Sequence, residues 1–216
     1  VSRRYEPISS YALIGDCHSA ALVSARGSID WACLRRFDRG AIFGPLLDAE
    51  KGGAFELRAE GLQGSRRSYL EETNVLETVF ETAEGRARVL DCFTMRKGGR
   101  TRPYQQLLRV VEGLEGEVSF EVVIEPRFDY GALPPWLRSH PAEGVYSAVG
   151  GDDAVVIGAD CPKIQTARTV KRKGRLSGRD PFDKPPVGAD QSSLRSRRST
   201  RLSPARSTAS ANCSGR

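Results

Sequence analysis

Large apolar residues in a core-building pattern stop near residue 160. From there to residue 216 they are Ile164, Val170, Leu176, Phe182, Val187, Leu194 and Leu202, isolated and in neither a helical nor an alternating period. Burying them could not offset an ordering cost of roughly 1–2 kcal/mol per residue of backbone. Residues 161–216 are therefore expected to form a disordered, low-complexity basic tail, and residues 1–160 the folded domain. Charge divides at the same place. The first 160 residues hold 19 Lys and Arg against 24 Asp and Glu, and the tail holds 14 against 3, so a formal net charge of +6 conceals two opposite halves. The high overall basicity says nothing about the folded part.

Within residues 10–158 strand signals dominate. Residues 19–24 and 29–34 flank the turn Ala25-Arg26-Gly27-Ser28, which predicts a hairpin. Residues 74–82 and 86–93 flank Ala83-Glu84-Gly85 and predict a second. Phe55 and Leu57 alternate with Glu56 and Arg58. Tyr104 to Val111 is apolar enough for a buried strand, or for a short helix, and Glu112 to Gly116 reads as a loop. The clearest strand alternates Val118, Phe120, Val122 and Ile124 with Ser119, Glu121, Val123 and Glu125. Period two with one wet face is what an antiparallel sheet requires. Ala154 to Ile157 is the last such run, and Phe37 to Leu47 reads as a helical turn or irregular loop. Short strands with closely spaced turns predict an all-β, antiparallel β-sandwich.

No run approaches the ~18 apolar residues of a membrane span. The opening Val1-Ser2-Arg3-Arg4-Tyr5 lacks the apolar region of a signal peptide, so the expected compartment is cytoplasmic. The five cysteines, Cys17, Cys33, Cys92, Cys161 and Cys213, are odd in number and in no framework spacing, which favours reduced thiols.

Five segments carry a family likeness. The first runs from Tyr11-Ala12-Leu13-Ile14-Gly15-Asp16-Cys17-His18 through Gly27-Ser28-Ile29-Asp30-Trp31 to Arg36-Phe37-Asp38. The others are Tyr69-Leu70 with Thr73-Asn74-Val75-Leu76-Glu77-Thr78, Val89-Leu90-Asp91-Cys92-Phe93, Arg109-Val110-Val111-Glu112-Gly113-Leu114, and Pro126-Arg127-Phe128-Asp129-Tyr130-Gly131. In this order they resemble the amino-terminal domain of the bacterial trehalase and glucoamylase-like proteins of glycoside hydrolase family 15, over residues 8 to about 158. Three places depart from the pattern. Arg35 stands where the family usually has Pro, Arg39-Gly40 where it has Ser-Pro, and Glu71-Glu72 where it has a Pro-Gly turn.

The resemblance implies a β-sandwich packed against a helical barrel that follows it in the same chain. It also implies that the barrel carries the chemistry: one carboxylate as general acid and one activating water, with inversion, which needs the two roughly 6.5–9.5 Å apart. The sequence is expected to stop before that barrel and partway through the sandwich. Unpaired edges and an uncovered Val118/Phe120/Val122/Ile124 face would follow. A shifted reading frame at about Ala159–Pro162 would account for the drift to Arg, Ser, Pro, Ala and Gly.

The residues themselves nominate few sites. Asp16, Asp30, Asp38, Asp91 and Asp129 are expected at strand ends or turns, where carboxylates cap backbone N–H groups more often than they cut bonds. Trp31, with Arg36 and Asp38, could form a sugar-facing rim, or a core indole beside an ion pair that fixes a loop. Cys17-His18, Cys33 and Cys92 match no zinc spacing, and no phosphate-cradling glycine motif occurs, so no metal, no cofactor and no catalytic residue is assigned. Three functions remain: the sandwich fragment of an α-glucoside hydrolase, inactive alone; a stand-alone sandwich binding carbohydrate or protein; and nucleic-acid association through the tail. The tail has Lys171-Arg172-Lys173 and Arg195 to Arg201 but lacks the interleaved aromatics that stack on bases.

Overall fold

The computed structural model describes residues 5–95, 104–140, 145–159, 164–166, 169–177 and 198–204. These residues build antiparallel, curled sheets, and the only helical pieces among them are single 3-10 turns at Ile8–Ser10 and Asp129–Gly131. The strands are β1 (Tyr11–Gly15), β2 (Ala20–Ser24), β3 (Ser28–Cys33), β4 (Phe55–Ala59), β5 (Leu62–Tyr69), β6 (Leu76–Thr82) and β7 (Gly85–Phe93). They continue with β8 (Leu107–Ile124), β9 (Trp136–Ser139), β10 (Val145–Gly150), β11 (Asp153–Ala159), β12 (Ile164–Thr166), β13 (Thr169–Ser177) and β14 (Arg198–Pro204). One layer runs β1-β2-β3-β4-β8 and continues through β13 to β12. The other runs β5-β6-β7-β8-β14-β11-β10-β9.

Both predicted hairpins form, as β2–β3 and β6–β7. The segment expected to be a loop at residues 112–116 is instead the middle of β8, an 18-residue strand shared by both layers. It stays extended because β7 pairs with it from Phe93↔Leu107 to Gly85↔Gly116. Its glycines serve the bend: Gly116 takes φ 57°, and the register shifts at Arg86/Ala87 as the strand passes between layers.

The Val118, Phe120, Val122 and Ile124 face is covered, contrary to expectation. All four side chains are buried, and Phe120 meets Phe80 of β6 edge-on at 6.1 Å between ring centroids. On this stretch β4 and β13 flank β8 on its two sides, so its backbone is paired as well. Three strands, β12, β13 and β14, fall after residue 160: β13 pairs with β8, with Val170 opposite Ile124 and Leu176 opposite Val118, and β14 lies between β8 and β11. The rest of the tail, including residues 195–197 of the Arg195 to Arg201 run, lies outside the described residues.

β5, β9 and β10 are not among the strands expected from the sequence. β5 (Leu-Gln-Gly-Ser-Arg-Arg-Ser-Tyr) is an edge strand with little burial, and its arginines protect an edge rather than fill a core. Phe37 to Leu47 is irregular, pinned by the isolated bridge Ala32↔Phe43.

One departure from the family pattern has a backbone consequence. Glu72, where the family has Gly, adopts φ 55° in the turn between β5 and β6. A side chain in the left-handed region is strained, and nothing holds Glu72 there but the turn itself. Glu72→Gly is therefore expected to stabilise the fold by about 0.5–1 kcal/mol in urea unfolding.

Candidate functional site

Alternation on β7 and β8 sends Ala87, Val89, Asp91 and Phe93 inward, and opposite them Leu107 and Arg109. Asp91 and Arg109 are direct cross-strand partners. The carboxylate is fully buried and the guanidinium 1 % exposed. Arg109 Nε donates to Asp91 Oδ1 at 2.7 Å and Nη2 to Oδ2 at 3.1 Å. The remaining donors reach across the sandwich, Nη2 to the Gly27 carbonyl at 2.8 Å and Nη1 to the Phe55 carbonyl at 3.2 Å. The guanidinium also lies 4.7 Å from the Phe55 ring centroid. Gly27 has φ 82°, and a Cβ there would sit 2.7 Å from the Phe80 ring. Glycine lets the β2–β3 turn come close enough for its carbonyl to meet Arg109. In the sequence Asp91 and Arg109 belong to two separate signatures. Their shared inward parity was the signal that joins them.

This buried pair fixes the strands that floor a cavity on the opposite, outer face. Ser28 and Glu56 are cross-strand partners on β3 and β4, so Ser28, Asp30, Glu56 and Arg58 face away from Ile29, Phe55 and Leu57. With Tyr5 and Tyr11 they line a cavity of about 300 Å³. Tyr11 Oη donates to Asp30 Oδ2 at 2.7 Å, and the Ser28 hydroxyl donates to Asp30 Oδ1. Glu56, 7 % exposed, is ion-paired with Arg58, and Arg26 reaches Glu6 at 3.4 Å over the rim. Burial, then the hydrogen bond to Asp30, pushes the Tyr11 phenol far above the usual tyrosine range, so it remains a neutral donor. The cavity's acids accept bonds or pair with arginine. In that arrangement they offer hydroxyl-binding groups rather than a proton donor aimed at a leaving group.

Trp31, Arg36 and Asp38 line no part of that cavity. Trp31 is half-buried on β3, opposite Leu22. Arg36 and Asp38 are exposed in the following loop, where the guanidinium donates from Nε and Nη2 to both Asp38 oxygens at 2.8 Å. This bond, ahead of any other cause, holds the Asp38 carboxyl below its usual range. Asp16 acts as a turn cap, Oδ1 accepting from the N–H groups of His18 at 3.0 Å and Ser19 at 2.6 Å. Arg35, at the family's proline position, reaches Asp153 at 3.3 Å. No group of three His, Cys, Asp or Glu among the described residues could hold a metal ion. No helix among them is long and apolar enough to cross a membrane.

The described thiols are free, with Cys17 exposed and Cys33 buried. Burial, aided by the Asp38 charge, raises the Cys33 thiol to about 11, and burial with Asp91 raises Cys92. A raised pKa means less thiolate at pH 8. Peptide mapping after iodoacetamide treatment at that pH is expected to show Cys17 modified at least about tenfold faster than Cys33.

Comparison with known proteins decides the family. A family model described as "Trehalase-like, N-terminal" matches residues 2–170. The chain belongs to the trehalase-like N-terminal domain family. The trehalase-like domain is 32% identical over 156 residues to a trehalase of Mycolicibacterium smegmatis, covering 65% of this chain and 23% of that protein. It is 33% identical over 156 residues to a trehalase of Mycobacterium tuberculosis, with the same coverage. Trehalase 1 of Sulfolobus acidocaldarius is 34% identical over 126 residues, 58% of this chain and 20% of that protein. The chain thus spans under a quarter of the curated relatives it matches. Those relatives are longer, with most of their length outside the matched stretch.

Proposed function

We propose that this trehalase-like domain is the non-catalytic β-sandwich of a family 15 glycoside hydrolase. In that reading the intact enzyme cleaves α-glucosidic bonds, in trehalose or α-glucans, by inversion. Its two acting carboxylates sit in a separate helical barrel that packs on the sandwich. The observation that supports this is the commitment of the domain's inner and cavity-lining acids to structural partners. Asp91 is locked by Arg109, Asp30 by two hydroxyls and Glu56 by Arg58. An inverting pair needs one carboxyl free to give a proton and another free to activate water across the bond. The names of the relatives favour trehalose among the substrates.

The test is direct. Purified chain incubated with trehalose or maltose is expected to release no glucose above the uncatalysed level. Turnover that disappears in Asp30→Asn or Glu56→Gln would place the chemistry here and overturn the proposal.

A further inference from the structure

We propose that the cavity between Tyr5, Tyr11, Asp30, Glu56 and Arg58 is a binding site for a neutral polyhydroxylated ligand of pyranose size, distinct from any bond-cleaving centre. Size comes first. About 300 Å³ lies at the small end of the range of ligand pockets, roughly 300–1,000 Å³. Charge comes second. Arg26 is matched by Glu6 and Arg58 by Glu56 and Glu121, while Asp30 is satisfied by two neutral hydroxyls. An anionic ligand would have to displace a paired carboxylate from Arg26 or Arg58 and would meet the Asp30 charge as well. A neutral hydroxyl group would not, because the Asp30 carboxylate has about four lone-pair positions and accepts from the Tyr11 and Ser28 hydroxyls at two of them.

Chemistry comes third. Hydroxyls need donor and acceptor together at each position, and the cavity offers both in close order. Asp30 on β3 stands beside Glu56 and Arg58 on β4, and the Tyr11 and Ser28 oxygens, having donated to Asp30, still have lone pairs to accept with. Tyr5 supplies an apolar ring, 59 % exposed, against which the C–H face of a ring can rest. Its hydroxyl accepts from the Ala49 N–H at 3.4 Å, which ties the ring to the loop that forms the far wall. The floor is rigid: β3 and β4 are bound from behind by Arg109, which holds the Gly27 and Phe55 carbonyls adjoining Ser28 and Glu56. Preorganised polar groups bind better than groups that must first be ordered.

The site is independent of the catalytic reading, because the experiment reads occupancy and not turnover. Full-length chain labelled with ¹⁵N is titrated with trehalose, maltose and glucose. Saturable amide shifts centred on Ser28, Asp30, Glu56 and Arg58 are expected at millimolar sugar. Tyr5→Ala, outside the core, is expected to weaken binding at least about fivefold, and Asp30→Asn about tenfold or more. Arg86→Gln, at a distant hairpin, leaves binding unchanged. Each variant's melting curve accompanies its titration, and Tyr5→Ala keeps the test decisive if Asp30→Asn fails to fold. The proposal is overturned by no shifts up to about 50 mM of any of the three sugars, a range that would detect very weak sites. It is equally overturned by binding that Tyr5→Ala and Asp30→Asn leave intact, or by a preference for glucose 6-phosphate over glucose.

Discussion

Asp91→Ala is expected to lower the unfolding free energy by about 3–5 kcal/mol, the usual cost of stranding one partner of a buried ion pair. The reason is the fate of Arg109. Its guanidinium is 1 % exposed and keeps two carbonyls and an aromatic face, but it loses both bonds to its counter-ion. A cation in that position can neither reach water nor lose its proton. Domains of this size are stable by only about 5–15 kcal/mol, so the variant should unfold at a far lower urea midpoint. The double variant Asp91→Leu/Arg109→Met separates the pair's own worth from the cost of breaking it. Removing both charges should recover much of the loss, because two apolar side chains leave no charge unmatched. If Asp91→Ala melts like the parent chain, the buried pair is not what holds the layers in register.

Phe55→Ala is expected to cost about 3–5 kcal/mol, the range for deleting a fully buried phenyl ring. The ring is 0 % exposed, stands 6.3 Å from Phe43 and lies under the Arg109 guanidinium. Its loss opens a cavity and removes the cation–π contact at once. Phe55→Leu keeps most of the volume and loses only the ring's negative face, so it should cost distinctly less. The difference between the two, measured again in the Arg109→Met background, reads the cation–π share as a coupling. An identical cost for Leu and Ala would mean that packing alone accounts for Phe55.

The all-β architecture was legible because the hairpins β2–β3 and β6–β7 carry their turn residues at the right places and because apolar and polar residues alternate from Val118 to Val122. The continuity of β8 was not. Glu112-Gly113-Leu114-Glu115-Gly116 has loop composition, and only pairing with β7 keeps it extended. β5 hid for the opposite reason: an edge strand needs no apolar face. In the tail, Val170 and Leu176 look isolated in sequence, and the register that sets them opposite Ile124 and Val118 comes from a strand about fifty positions away. At the site, motif reading drew attention to Trp31, Arg36 and Asp38, which stand out chemically in one contiguous stretch. The cavity draws instead on Tyr5, Tyr11, Asp30 and Glu56, separated by up to about fifty positions and joined only by the β1–β2–β3–β4 order, which local spacing does not reveal.

The strand running from Leu107 to Ile124 gives the molecule a spine. Its first half is a member of one layer and its second half of the other, so neither layer can peel away while the spine stays bound to its neighbour. Damage to one end of the sandwich is thereby felt at the other, and the chain is built to come apart as a single unit rather than leaf by leaf.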